Sequence, residues 1–408
     1  MAKSKTSGFE ALARETVLYP QEKLAKIKKD NRSFFLGIPK EIAFSENRIS
    51  LTPEAVQLVV DNGHRVWIEA GAGVKAKFSD REYSDAGAEI MKTANEVYTA
   101  DILLKIEPPT VEEIEMMKPG QTVISALQIG NQTKEFVNAL MNKRVTALAY
   151  EFIEDKVGGF PIIRTLSEIA GNAAVILASE LLSSEKEGKG ILLGGITGVP
   201  PTNMLILGAG TVAENAARSA LGLGADVKVF DNHLYKLRRL KHILGTQIYT
   251  STIDTATLSE CLKSTDVVIG ALRPEKGRSS IVITEDMVMQ MKPDSLIIDL
   301  SIDHGGCVET SKIMTHDNPT YRKHDVIHYC VPNITSRVAR TASIALSNIF
   351  TPTILRAGEE GGISDMIFNH KWFLNGVYTY NGTLTNKQLG TKFRMECRDL
   401  SLLQAARF

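Results

Sequence analysis

From residue 34 onward, short apolar runs alternate with helix-forming stretches. Residues 34–38 read as a strand. Thr52-Pro53-Glu54 then opens a helix, because threonine suits the N-cap and proline the first helical position. Asn62-Gly63 ends it. Residues 66–68 are strand-like and lead into a Gly-rich turn, Ala70-Gly71-Ala72-Gly73. Residues 102–106 and 123–127 are further apolar strands with a helical segment between them, and 146–152 closes this half. Strands alternating with helices imply a parallel sheet covered on both faces. Ser167-Glu168-Ile169-Ala170-Gly171 begins a long helical stretch to about Ser184, the expected crossing into a second unit. There the strands fall at 204–207, 227–230, 247–249, 267–269, 296–300 and 326–330, which is the number in a full Rossmann sheet. From about Ala342 the chain turns helical again. The tail beyond is too small to fold alone, so it is expected to pack back on the first unit. The fold class expected is α/β: two Rossmann-like domains with parallel sheets, the second inserted into the first. The expected division is an extension at 1–33, a substrate domain at 34–165 joined by 343–408, and a dinucleotide domain at 166–342.

The junction at 203–231 carries the clearest chemistry. An apolar strand runs into Gly208-Ala209-Gly210, a helix-forming stretch follows, and a second strand ends on Asp231. Gly208 permits a tight turn, and Gly210 lets a pyrophosphate approach the backbone. The free N–H groups at the helix start, around Thr211 and Val212, face the phosphate charge. Ala213 takes the third glycine position, where a small residue allows close helix–strand packing. Asp231 lies about 20 residues on, where an acid accepts hydrogen bonds from a ribose. An acid there disfavours a 2′-phosphate, so NAD is expected over NADP. Arg238 and Arg239 are the opposing signal, since nearby arginines accommodate that phosphate.

Composition narrows the rest. The 408 residues exceed what one core usually holds, so two domains are expected. Lys plus Arg and Asp plus Glu both number 47, so the formal charge is zero. Nothing there favours nucleic acid or an anionic membrane. Cys261, Cys307, Cys330 and Cys397 are scattered, with no metal spacing, and read as reduced thiols of a cytoplasmic protein. No stretch reads as a membrane span: residues 191–210 come nearest but are broken by glycine and proline. The Lys-rich residues 1–32 lack a signal-peptide core and hold a candidate amphipathic helix near Phe9 to Leu18.

The segments GIPKE (37–41), ENRISLTPEAV (46–56), GHRVWIEAGAG (63–73), TLSEIAGNAA (165–174), GGITGVPP (194–201) and IIDLSIDHGGCVE (297–309), together with the fingerprint, occur in an order that resembles the alanine dehydrogenase and nicotinamide nucleotide transhydrogenase (alpha subunit) family. The resemblance runs from about Phe34 to the C-terminus. It implies a substrate domain built from both ends of the chain around a central NAD domain, a homo-oligomer (usually a hexamer), and interconversion of L-alanine with pyruvate and ammonia.

The same resemblance assigns roles. Arg48 matches the arginine that holds the substrate carboxylate, a task suited to a guanidinium's paired donors. The plainer reading is a surface ion pair with Glu46 or Glu41. Asp303 matches an aspartate that lies beside the nicotinamide and takes part in catalysis. Its plainer reading is a cap on the Gly305-Gly306 corner. Ser167 matches a serine near the pyrophosphate, Asp231 and Lys236 match residues around the adenosine ribose, and Asn333 and Ile334 match a loop on the nicotinamide side. Ala271 and Leu300 complete the expected cofactor lining.

Two family residues are replaced. Glu107 stands where a second substrate-binding lysine is expected, and Gln128 where a catalytic histidine is expected. A carboxylate at 107 repels a substrate carboxylate, and glutamine exchanges no proton near neutral pH. Lys105, two residues earlier on an expected strand, is the candidate substitute cation. His304 is the candidate titratable group. The leading expectation is an NAD-dependent amino-acid dehydrogenase, alanine dehydrogenase by resemblance. The alternatives are a dehydrogenase for another amino or imino acid, for example a cationic one attracted by Glu107, or an NAD-binding protein that has lost catalysis.

Overall fold

The computed structural model describes residues 33–128, 130–155, 158–273, 279–400 and 402. The amphipathic stretch expected near Phe9 to Leu18 lies outside them.

Two mostly parallel sheets organise the chain. In the first, β1 (Phe35–Ile38), β2 (Arg65–Glu69), β3 (Glu89–Met91), β4 (Ile102–Leu104), β5 (Thr122–Ser125) and β6 (Thr146–Ala149) all run parallel. The second is built from β7 (Asn203–Leu207), β8 (Asp226–Phe230), β9 (Tyr249–Ser251), β10 (Val267–Gly270), β11 (Leu296–Asp299), β12 (Thr320–Lys323) and β13 (Val326–Tyr329), in the order β12-β13-β11-β10-β7-β8-β9. The tail contributes β14 (Val377–Tyr380) and β15 (Thr383–Leu384) to the first sheet, giving β15-β14-β6-β5-β4-β1-β2-β3. One core joins Leu36, Ile68 and Leu104 of that sheet to Phe350, Met366 and Phe373 near the C-terminus.

Local signals set many boundaries. Thr52 caps the helix Pro53–Asp61 by accepting from the Ala55 N–H, with Pro53 at its start. Gly63 follows with φ +86°, a left-handed conformation suited to glycine.

Several expectations need correction. The sheets are not wholly parallel: β14 runs antiparallel to β6 and β15, and β12 to β13. The β12–β13 turn passes through His324 and Asp325, both with positive φ. Its strand β12 is Thr-Tyr-Arg-Lys, with no apolar run, so hydrophobic pattern alone misses it and counts six strands for seven. The edge strand β9 sits two residues later than expected. The strands expected to reach 106, 127, 152 and 300 end at Leu104, Ser125, Ala149 and Asp299. Ile106 and Leu127, just beyond two of these ends, remain apolar because they are fully buried in the packed cores.

The crossing helix spans Pro161–Leu181 and starts six residues before Ser167. By length and composition it could cross a bilayer, which corrects the expectation that no stretch could. Here its buried face, Gly171 to Leu181, is packed in the protein core. A Cβ on Gly171 would lie 2.3 Å from the Val212 carbonyl, so glycine is what lets this helix close on the helix Thr211–Gly222.

Candidate active site

The dinucleotide cradle is backbone chemistry. Gly208 follows β7 with φ +105°, and a Cβ there would meet the Ala271 carbonyl at 2.5 Å. Gly210 caps the helix Thr211–Gly222, and a Cβ there would meet nothing within 4 Å. That open space above unpaired helix N–H groups fits a pyrophosphate. Ala213 is fully buried against the sheet. Ser167 lies one helical turn before Gly171, on the face that approaches the fingerprint helix. Asp231 follows β8 and is buried. Its Oδ2 accepts the Ala209 N–H at 2.8 Å and its Oδ1 the His233 N–H at 2.7 Å. Oδ1 also faces His233 Nδ1 at 3.0 Å, so Oδ2 is the oxygen with a lone pair open to a ribose hydroxyl. Lys236 sits in the first turn of the next helix, Leu234–Leu244. Arg239 donates to the Ala209 carbonyl at 3.2 Å, so it braces the turn; Arg238 is exposed. Ala271 and Leu300 are half-buried beyond the C-terminal ends of β10 and β11, where open α/β sheets take ligands. These residues fit NAD.

The second half of the site faces this crevice from the first sheet. Arg48 is almost fully buried. It donates from Nε to Glu46 Oε1 at 2.8 Å and from NH2 to Glu46 Oε2 at 2.5 Å. The pair is internal, which corrects the surface reading. Its NH1 donates to Thr335 Oγ1 at 3.1 Å, and NH2 also reaches Glu107 Oε1 at 3.3 Å. Gln128 Nε2 donates to Glu107 Oε2 at 2.6 Å. Gln128 is held by a left-handed backbone, φ 46°, and by its N–H to Glu151 at 2.8 Å.

Asn333 ties the two sides together. Its side chain donates to Glu46 Oε2 at 2.6 Å, and its backbone N–H donates to Asp303 Oδ1 at 3.1 Å. Asn333 is itself left-handed, φ 59°, and Ile334 beside it is buried. Asp303 lies in the 3-10 helix Leu300–His304. It reaches solvent, yet the crevice walls strip enough water to push its carboxyl up to about 6, while the Asn333 N–H and Arg48 pull it down. Glu107 is pushed up to about 8 by burial, against the pull of Arg48 and with Glu46 and Glu41 adding to the rise.

The two substitutes fare differently. Lys105 lies beyond the end of β4, so the strand alternation that was to align it with Glu107 does not apply. Its ammonium is buried between Glu113, at 2.8 Å, and Glu41, at 3.3 Å. It is spent on that cluster and is not brought to Arg48. His304 is exposed next to Asp303, and the water its ring loses to the surrounding protein, with Arg273 nearby, pushes its pKa down. Its ring makes no hydrogen bond among the described residues.

Other members were missed. Glu41 accepts the Ile106 N–H at 2.5 Å, Glu151 holds both Leu127 and Gln128, and Thr335 holds Arg48. The buried Asp299 accepts from the backbone N–H groups of Ser301 and Cys307 and from the Ser311 hydroxyl, fixing the loop that carries Asp303. The signals were present as acids in GIPKE, AYEF and IIDLS, but sequence gives an acid no partner.

Residues 37–170 match the family model for the alanine dehydrogenase/PNT N-terminal domain, and residues 174–387 the model for its C-terminal domain. The chain belongs to the alanine dehydrogenase/PNT family. Among curated relatives, an alanine dehydrogenase of Bacillus subtilis (strain 168) is 39% identical over 351 residues, 86% of this chain and 92% of that one. One of Methanococcus maripaludis is 38% identical over 352 residues, 86% of this chain and 94% of that one. A solved L-alanine dehydrogenase superposes with TM-score 0.83 at 32% identity, covering 88% of this chain and 99% of its own. A transhydrogenase from Sinorhizobium meliloti, TM-score 0.74 at 24% identity over 86% of this chain and 99% of its own, shares the fold. The two Rossmann-like sheets are those of the family.

Proposed function

We propose that this protein is an NAD-dependent alanine dehydrogenase, converting L-alanine, NAD and water to pyruvate, ammonia and NADH. The observation that carries the reading is the meeting of Arg48 and Asp303 across one crevice, joined through Glu46 and Asn333. Arg48 binds the substrate carboxylate from one wall. Bound NAD supplies the hydride acceptor, cradled by Gly208, Ala209, Gly210, Thr211 and Val212. Asp303, ionised above about 6, takes a proton from the substrate ammonium and passes it to solvent. It then takes a proton from the water that adds to the imino carbon and gives it to the nitrogen as ammonia leaves. Gln128 fixes Glu107 rather than moving a proton itself. His304 is a secondary candidate for proton exchange at the mouth. In this reading 34–165 with 343–408 form the substrate domain and 166–342 the NAD domain. The same reading makes the protein a cytoplasmic homo-oligomer of the kind the family resemblance implies.

The test is initial-rate NADH formation over a panel of L-amino acids. The reading expects turnover, with L-alanine preferred. NADH binding without turnover on any amino acid would instead mean that catalysis is lost. A second reading, oxidation of an amino acid with an additional cationic group, draws on the Glu107 carboxylate facing the crevice beside Arg48. Preference for lysine or ornithine over alanine would select it.

A further inference from the structure

We propose that Glu107 is a protonation-gated substrate-positioning residue: a substrate carboxylate joins Arg48 only when Glu107 is the neutral acid, whose O–H then donates to that carboxylate. The inference rests on the alanine dehydrogenase reading above.

The donors of Arg48 are nearly all committed. Glu46 takes Nε and one NH2 hydrogen, Thr335 takes one from NH1, and Glu107 takes the other from NH2. A carboxylate seated on a guanidinium uses two N–H groups. A substrate anion must therefore share the edge that Glu107 already occupies. With Glu107 ionised, the incoming group would be a third carboxylate on one cation, and like charges at that distance disfavour joint ionisation. With Glu107 neutral, the repulsion becomes a donor–acceptor pair.

The surroundings say where the proton sits. Gln128 Nε2 donates to Oε2 at 2.6 Å, so that oxygen serves as acceptor. Oε1 also accepts, from Arg48 NH2 at 3.3 Å, but this is the longer of the two contacts. A proton on Oε1 therefore displaces the weaker bond and turns that oxygen into a donor toward the substrate carboxylate. The Glu107 N–H donates to Glu41 Oε2 at 3.4 Å, and Glu41 is held from behind by Lys105. The Tyr150 hydroxyl is committed to the Ile106 carbonyl at 2.7 Å. Arg48 and the Gln128 amide draw Glu107 toward ionisation, while burial, Glu46 and Glu41 oppose them. Those influences leave Glu107 able to change state near neutral to mildly alkaline pH, whereas Asp303 is already ionised there.

Pyruvate is the probe, since its own carboxyl does not titrate in this range. It is titrated calorimetrically into the enzyme–NADH complex at pH 7 and pH 9, each in two buffers of different ionisation heat. The expected result is uptake of about one proton per pyruvate at pH 9 and little at pH 7, with the Kd rising about tenfold per pH unit above the Glu107 transition. Glu107→Gln keeps the shape and removes the charge, so it should bind pyruvate without uptake and with a flat Kd over that range. Glu107→Met, which places no titratable group there, should also show no uptake and serves if the glutamine variant does not fold. Wild-type pyruvate binding at pH 9 without proton uptake would overturn the proposal, as would wild-type pH dependence in Glu107→Gln. If pyruvate does not bind the wild-type complex at any pH, the functional reading falls and the proposal with it.

Discussion

The two walls of the crevice solve recognition in different ways. The phosphate-facing part of the cofactor wall is one continuous segment, in which Gly208, Gly210 and the start of the helix Thr211–Gly222 present backbone groups. The proposed substrate wall is assembled from separate segments: Glu46 and Arg48, Glu107, Gln128, then Asn333 and Thr335 from the far side. Backbone recognition constrains the residues that make it, because few side chains fit. Side-chain recognition is open to replacement, provided charge and hydrogen bonds still balance. In the proposed site this contrast fits an intact fingerprint beside Glu107 and Gln128, the two positions that the family resemblance marks as altered.

The largest test of the contrast is Asp303→Asn. It should lower kcat by roughly 10² to 10⁴ while leaving NADH affinity near wild type. Wild-type kcat should fall as pH drops through about 6, because the base is lost when Asp303 takes a proton. The asparagine variant should lack that limb. An unchanged pH profile in the variant would remove Asp303 from the chemistry.

Breaking the substrate wall comes next. Arg48→Met strands the fully buried Glu46 carboxylate without its cation and should cost about 3–5 kcal/mol in urea unfolding. Adding Glu46→Gln should recover much of that stability without restoring alanine turnover. If turnover returned with stability, Arg48 would be a structural residue only.

The cofactor wall should split into two kinds of glycine. Gly208→Ala meets both a positive φ and the Ala271 carbonyl, so it should destabilise the fold by about 1–3 kcal/mol. Gly210→Ala meets open space and should leave stability within about 0.5 kcal/mol, yet weaken NADH by tenfold or more. Equal losses of stability would erase the distinction. The smallest effect concerns choice of dinucleotide. The buried Asp231 carboxylate should favour NADH over NADPH by about tenfold, or about 1.4 kcal/mol, in a fluorescence titration. Equal affinities would assign Arg238 to the 2′-phosphate, since Arg239 is already bonded to Ala209.

The chain by itself determined the alternation of strands and helices, the Thr52 cap, the Gly208-Ala209-Gly210 turn and the acid at 231. Each is a local matter of spacing, propensity or steric room, and each lies within one segment. It also marked Arg48 and Asp303 through family motifs, and Glu107 and Gln128 as departures from them. Tertiary structure decided what those residues meet. Lys105 and Glu107 stand two apart, yet one is buried among Glu41 and Glu113 and the other joins Arg48, because the strand stops at Leu104. Glu46 changed from a surface partner to a buried one, and Asn333 became the link across the crevice. The polar edge strand β12 had no apolar signature and took its place from its pairing with β13. Spacing along a chain fixes periodic and steric relations between near neighbours, but the protonation state and partners of a side chain depend on which distant groups exclude water from it.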